Sequence, residues 1–78
     1  MRSELTPQQI QIMKDDLAVE LAENLVDEFH YTPQEALDVL YKSETFDRLQ
    51  DSETGLYYQS AGYVYSFLSN EIKTAKVA

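Results

Sequence analysis

Apolar residues between Ile10 and Phe29 recur with helical spacing. At about 100° per residue, Ile10, Met13, Leu17, Leu21, Leu25 and Phe29 form one stripe. Ile12, Val19 and Val26 form a second stripe, seven residues apart, and Asp16, Glu20, Glu23 and Asp27 share the face that remains. No Gly or Pro interrupts the run after Pro7, so the pattern predicts a helix from Pro7 to Phe29 or His30. Its apolar arc, well over 100° wide, exceeds what one packing surface needs. The helix is expected either to be wrapped by the rest of the domain or to be partly covered by another chain. In the second case Ile12, Val19 and Val26 are candidate contacts, whether with a partner or with a second copy in a homodimer.

Two segments open with the same capping chemistry, Thr6-Pro7-Gln8-Gln9 and Thr32-Pro33-Gln34-Glu35. Each offers Thr as N-cap, Pro where no backbone donor is needed, and Gln or Glu three residues on to close a capping box. The residues that follow diverge, so this is shared capping and not an internal repeat. A second helix is predicted from Pro33 to about Lys42, with Ala36, Leu37, Leu40 and Tyr41 inward. Ser43 caps a short third helix, Glu44 to Gln50, whose Phe46 and Leu49 share a face. Asp51-Ser-Glu-Thr-Gly55 is turn chemistry throughout, with Gly55 suited to positive φ. Leu56-Tyr-Tyr-Gln is expected to be extended or irregular. Ser60 then caps a last helix from about Ala61 to Ile72, with Val64, Phe67, Leu68 and Ile72 buried. The architecture predicted is all-α: a small bundle of about four helices with a long first helix and a short irregular segment before the last. One domain spans residues 1–78, with 1–6 and 74–78 expected to fray.

Four of the six tyrosines, Tyr57, Tyr58, Tyr63 and Tyr65, lie between Gly55 and Phe67. In an extended segment the adjacent Tyr57 and Tyr58 point to opposite sides, one inward and one outward. Tyr63 and Tyr65 fall on opposite margins of the last helix's apolar arc, where a ring is buried while its hydroxyl stays wet. Most of these rings are expected to complete a small core. The outward member of the first pair and the wet edges of the second are candidate protein contacts, since Tyr is enriched at interface hot spots.

Composition narrows the partners. Fourteen acidic residues against six basic ones give a net charge of −8. Between Asp15 and Glu53, twelve acids face only Lys42 and Arg48. Nucleic-acid binding requires cations that displace the phosphates' counterions, so this surface is expected to repel DNA and RNA. The charge either attracts a basic protein or simply keeps a small domain dispersed. There is no cysteine to form a disulfide or hold a metal, which fits a reducing compartment. No signal-peptide run or membrane-length apolar stretch is visible, so the expectation is a soluble, cytoplasmic protein with no membrane association.

Catalytic chemistry is poorly provided for. With no cysteine and one histidine, Cys–His catalysis is impossible, and no glycine-flanked elbow accompanies a serine to work with His30. Glu23, Asp27 and His30 share one helix face, but carboxylate-bridged sites draw ligands from several helices. A solvated acidic face ending in a histidine at the helix C-terminus is the expected arrangement. Asp51-Ser-Glu-Thr-Gly departs from a calcium loop, with Gly fifth where the loop needs it sixth. Gly55 and Gly62 lack a phosphate-cradling context. No enzyme, cofactor or metal is expected.

Thr32-Pro-Gln-Glu-Ala-Leu, Ser43-Glu-Thr-Phe-Asp-Arg-Leu49, Asp51-Ser-Glu-Thr-Gly-Leu-Tyr57 and Tyr63-Val-Tyr65 occur in order along the chain. Together they resemble a family of short bacterial proteins of unknown function with S-x-T-[FY]-x-x-L and T-G-L-Y motifs and a tyrosine-containing final helix. The resemblance covers nearly the whole chain after residue 10. It implies encoding beside larger ADP-ribosyltransferase-like toxins, and hence a small acidic antitoxin or regulatory partner; it supplies no catalytic or ligand residue. The functional expectation is a non-enzymatic, acidic protein-interaction domain, or alternatively a self-associating structural protein paired through its first helix. A helical ubiquitin-binding-like module is suggested by Phe29-His-Tyr-Thr-Pro-Gln-Glu-Ala-Leu, and the long first helix argues against it.

Overall fold

A computed structural model describes residues 6–74; the fraying expected at 1–5 and 75–78 falls outside them. Within them the chain is all-α: α1 (Pro7–Phe29), α2 (Pro33–Lys42), α3 (Glu44–Gln50), two 3-10 turns (Ser52–Thr54 and Leu56–Tyr58) and α4 (Ala61–Thr74). No strand occurs among the described residues.

The two Thr-Pro starts are closed by the same reciprocal bonds. The Gln9 and Glu35 amides each donate to the capping threonine's Oγ1 at 3.1 Å. The Thr6 and Thr32 amides donate back to Gln9 Oε1 and Glu35 Oε1 at 2.9 Å. Thr6, which the sequence put at the edge of a frayed end, is thus the N-cap of α1. Ser43 Oγ accepts from the Phe46 amide and Ser60 Oγ from the Tyr63 amide, so all four helix starts carry a side-chain cap. Helix α1 stops where His30 turns left-handed, φ 60°, its amide still bonded to the Val26 carbonyl. Gly55 takes φ 70° between the two 3-10 turns, as its position in the turn predicted.

Helix α1 packs against α2 and α4, and also touches α3 and the second 3-10 turn; α3 packs on α4 and α2. Leu17, Leu21 and Leu25 from α1 meet Ala36 and Leu40 from α2, Leu49 from α3, and Val64 and Leu68 from α4. Ala36, with only a methyl group, occupies a fully buried position on α2. Each fully buried leucine contributes roughly 1.5–3 kcal/mol by leaving water.

Three residues expected to be buried, Leu37, Tyr41 and Phe67, are exposed. Leu37 and Tyr41 are exposed, because α2 buries only the Ala36–Leu40 edge; Tyr41 rests against Phe46 at 5.0 Å between ring centroids. Phe67 is 41% exposed, because α4 buries Val64, Leu68 and Ser69 and Phe67 lies beyond that arc. The short segment before the last helix, expected to be extended or irregular, is the second of the 3-10 turns: Leu56-Tyr-Tyr makes a single turn, with Tyr58 and Gln59 donating their amides back to Gly55 and Leu56. Helix α4 also runs to Thr74, two residues past the expected Ile72.

A non-glycine residue in the left-handed region costs about 1–2 kcal/mol. Replacing exposed His30 with Gly should raise stability by about 0.5–1 kcal/mol after the entropy cost of glycine is counted. Conversely, Gly55→Ala should lower it by about 1 kcal/mol through φ alone; an added Cβ would only touch the Tyr58 ring, at 3.9 Å. Urea unfolding midpoints at unchanged slope measure both.

Candidate functional site

Four of the seven candidate contact residues face solvent. Ile12 and Val19 are 56% and 57% exposed on the outer side of α1, whereas Val26 is half-buried and packs against the core. Around Ile12 and Val19 stand Asp15, Asp16, Glu20, Glu23 and Asp27, all exposed. Tyr58 is 62% exposed, and Tyr63 stands half out of α4 with its ring edge-on to Phe67 at 5.1 Å.

Tyr57 is the inward member of its pair, 7% exposed, and Tyr58 the outward one. Because the backbone is a 3-10 turn, the rings do not lie on opposite faces; they stack, 4.5 Å between centroids. Against Tyr57 lies the buried side chain of Lys14, its ammonium 5.9 Å from the ring centre. Lys14 Nζ donates to the carbonyl of Gln50 at 2.6 Å and to Ser52 Oγ at 3.1 Å. Gln50 is the last residue of α3, so the cation sits at a helix C-terminus, where carbonyl dipoles attract it. Tyr57 is therefore part of the joint between α1 and the α3 turn.

Tyr65 is likewise engaged within the fold. Its hydroxyl, expected to stay wet, donates to Glu28 Oε1 at 2.5 Å and lies 3.3 Å from the Asn24 carbonyl. Ser69 Oγ donates to the same Oε1 at 3.4 Å, and Lys73 Nζ sits 3.0 Å from the other oxygen, Oε2. The Tyr65 hydrogen bond first, and Lys73 second, hold the Glu28 carboxyl below its ordinary range. Burial, together with the donated bond to anionic Glu28, pushes the Tyr65 phenol well above its own. A second carboxylate joins α4 to α3: Glu71 accepts the amides of Glu44 and Thr45 at 2.7 and 3.0 Å and the Thr45 hydroxyl at 2.8 Å.

Sequence reasoning passed over Lys14 and Glu71. The signal was available: Lys14 lies three, seven and eleven residues before Leu17, Leu21 and Leu25, inside the apolar stripe. Glu71 stands three after Leu68 and seven after Val64, inside that of α4. A charge on a buried stripe must find partners or destabilise the fold.

Between α3, the 3-10 turns and α4 runs a shallow groove of about 340 Å³, lined by Thr45, Arg48, Thr54, Leu56, Tyr63 and Phe67. Thr45 and Thr54 already donate their hydroxyls, to Glu71 and to the Arg48 carbonyl. Neither a base nor a nucleophile pair lines it, and the arrangement offers contact surface and one guanidinium. Among the described residues no three His, Cys, Asp or Glu side chains converge as metal ligands; Glu23 and Asp27 project from α1 while His30 belongs to the left-handed stop. No described helix is long and apolar enough to cross a membrane.

Fold and surface together define a small all-α domain with an acidic first helix and exposed apolar side chains. Comparison of the chain with protein-family models, with curated proteins and with solved structures gives no match in any of the three.

Glu28 has its folded pKa lowered, so its contribution is present above the unfolded value of about 4.5 and is lost as pH falls through the depressed folded value. Glu28→Gln should accordingly be less stable than the parent at neutral pH, with the gap closing below about pH 4.5. Thermal unfolding across pH 2–7 reads this out. Lys14→Met, which keeps the stem but strands the Gln50 carbonyl and Ser52 hydroxyl, should cost about 1–3 kcal/mol in denaturant unfolding.

Proposed function

We propose that the chain is a non-enzymatic protein-interaction domain, an antitoxin-like or regulatory partner of a larger and more basic protein. The observation that carries this is the exposure of Ile12, Val19, Tyr58 and Tyr63 on a domain whose buried polar side chains are otherwise satisfied. Large apolar side chains held out in water, ringed by charge, are the raw material of an interface. The bacterial-family resemblance of the Thr32 to Tyr65 motifs supports the same reading and supplies the antitoxin-like form of it.

Self-association through α1 is the second reading, favoured by the seven-residue spacing of Ile12, Val19 and Val26. It is opposed by the charges beside them, since two copies meeting on this face would bring acid against acid. Size-exclusion chromatography with light scattering should therefore give the monomer mass of 9.0 kDa at moderate salt. A dimer that dissociates on Ile12→Asp and Val19→Asp would establish the second reading instead.

Capture from the source organism's lysate tests the first. The tagged chain should retain a specific protein of net positive charge, more strongly at low than at moderate salt. Recovery of no specific protein at either salt would count heavily against it.

A further inference from the structure

The outer face of α1 carries five acids, Asp15, Asp16, Glu20, Glu23 and Asp27, all exposed, and no exposed cation; the sixth acid of this stretch, Glu28, is turned to α4 and paired with Lys73. The helix's one basic residue, Lys14, is turned inward and bonded to Gln50 and Ser52. Among the described residues, every charge of α1 bordering Ile12 and Val19 is therefore negative. Ile12 and Val19 stand one heptad apart, about 10.5 Å along the axis at 1.5 Å per residue; Val26, next on the same line, is half-buried against the core and ends the open stretch. That makes a straight apolar ridge with acidic flanks.

We propose that this ridge docks a basic amphipathic helix of a partner protein, its apolar seam on Ile12 and Val19 and its lysines or arginines against the flanking carboxylates. This rests on the protein-interaction reading above and assigns the chemistry of its partner. Two features of the face select the occupant. Heptad spacing of the ridge matches the seam of another helix, which repeats its apolar positions every three to four residues. An exclusively acidic border excludes a second copy and favours cations at every flanking position, since like charges across an interface cost several kcal/mol whereas opposite charges raise association rates and fix register. The α3–α4 groove, by contrast, presents Arg48 and already-donated hydroxyls, and selects for no such helix.

The test uses the intact chain and a synthetic, end-blocked helical peptide of about 18 residues, five turns, with Leu in a heptad seam and Lys beside it. A scrambled peptide of identical composition, and one with Glu for Lys, are the controls. Anisotropy titration should give saturable binding of the patterned basic peptide, at least about tenfold weaker for the scrambled one, and none for the acidic one. The double variant Ile12→Ser, Val19→Ser should weaken the patterned peptide about tenfold or more. Both side chains are exposed, so its circular dichroism and melting temperature should match the parent. Amide shift changes in the complex should centre on residues 12–23.

Equal binding of patterned and scrambled peptides, an unaffected double variant, or shifts centred on Arg48 and Phe67 would each overturn the assignment. The lysate capture separates the two readings. A specific host protein held equally by parent and double variant leaves the interaction domain standing and removes this ridge as its site. A parent chain that binds neither the patterned peptide nor any specific host protein removes both.

Discussion

A 23-residue helix is a large object for a chain this short to cover. Helix α1 is about 34 Å long, and its cover consists of helices of 10, 7 and 14 residues. Each helix can bury one stripe against it. The consequence is a core concentrated on Leu17, Leu21 and Leu25, and an opposite side that no part of the described chain reaches. The exposure of Ile12 and Val19 follows from this geometry, and so does the partial burial of Ile10, Met13 and Phe29, which lie on the packed stripe but toward its ends.

Where apolar packing runs short, charged side chains close the joints. Lys14 ties α1 to the C-terminal end of α3, and Glu71 ties α4 to its N-terminal end. A seven-residue helix is too short to be stable alone, so its two ends held by opposite charges complement its dipole from both sides. The Glu28, Tyr65 and Lys73 group does the same work between α1 and α4. Each joint is a charged group with several hydrogen-bond partners, the condition under which such a group stabilises a fold more than its desolvation costs.

Helix positions and starts were legible because their signals are local. A Thr-Pro-x-Gln or Thr-Pro-x-Glu box needs only four residues to be recognised, and Gly55 only its turn. Burial within each helix was legible where one packed face exists, as with Leu17, Leu21 and Leu25. It failed for Leu37, Tyr41 and Phe67, because an amphipathic arc does not say how much of itself a neighbour will cover. Of the tyrosines, the inward and outward members of the Tyr57–Tyr58 pair could be expected as a pair, but the stacking came from a 3-10 turn whose bonds run through Gly55. The Tyr65 hydroxyl finds Glu28 across 37 residues of sequence. No local pattern encodes such a pairing.

Two properties of the outer α1 face pull in opposite directions when considered alone. Exposed Ile12 and Val19 favour association with any apolar surface, a second copy included. The acids beside them favour separation from anything of like charge. Jointly they leave one class of surface for which both terms are favourable, apolar in the centre and basic at the rim. In the proposed docking the acidic border acts as a filter on an otherwise indiscriminate apolar ridge. Carboxylates positioned only for solubility could stand anywhere on the surface, whereas these alternate with the ridge positions along the same helix face. Under the proposed docking, that interleaving is what would let the acids on this face choose among partners as well as repel like-charged surfaces.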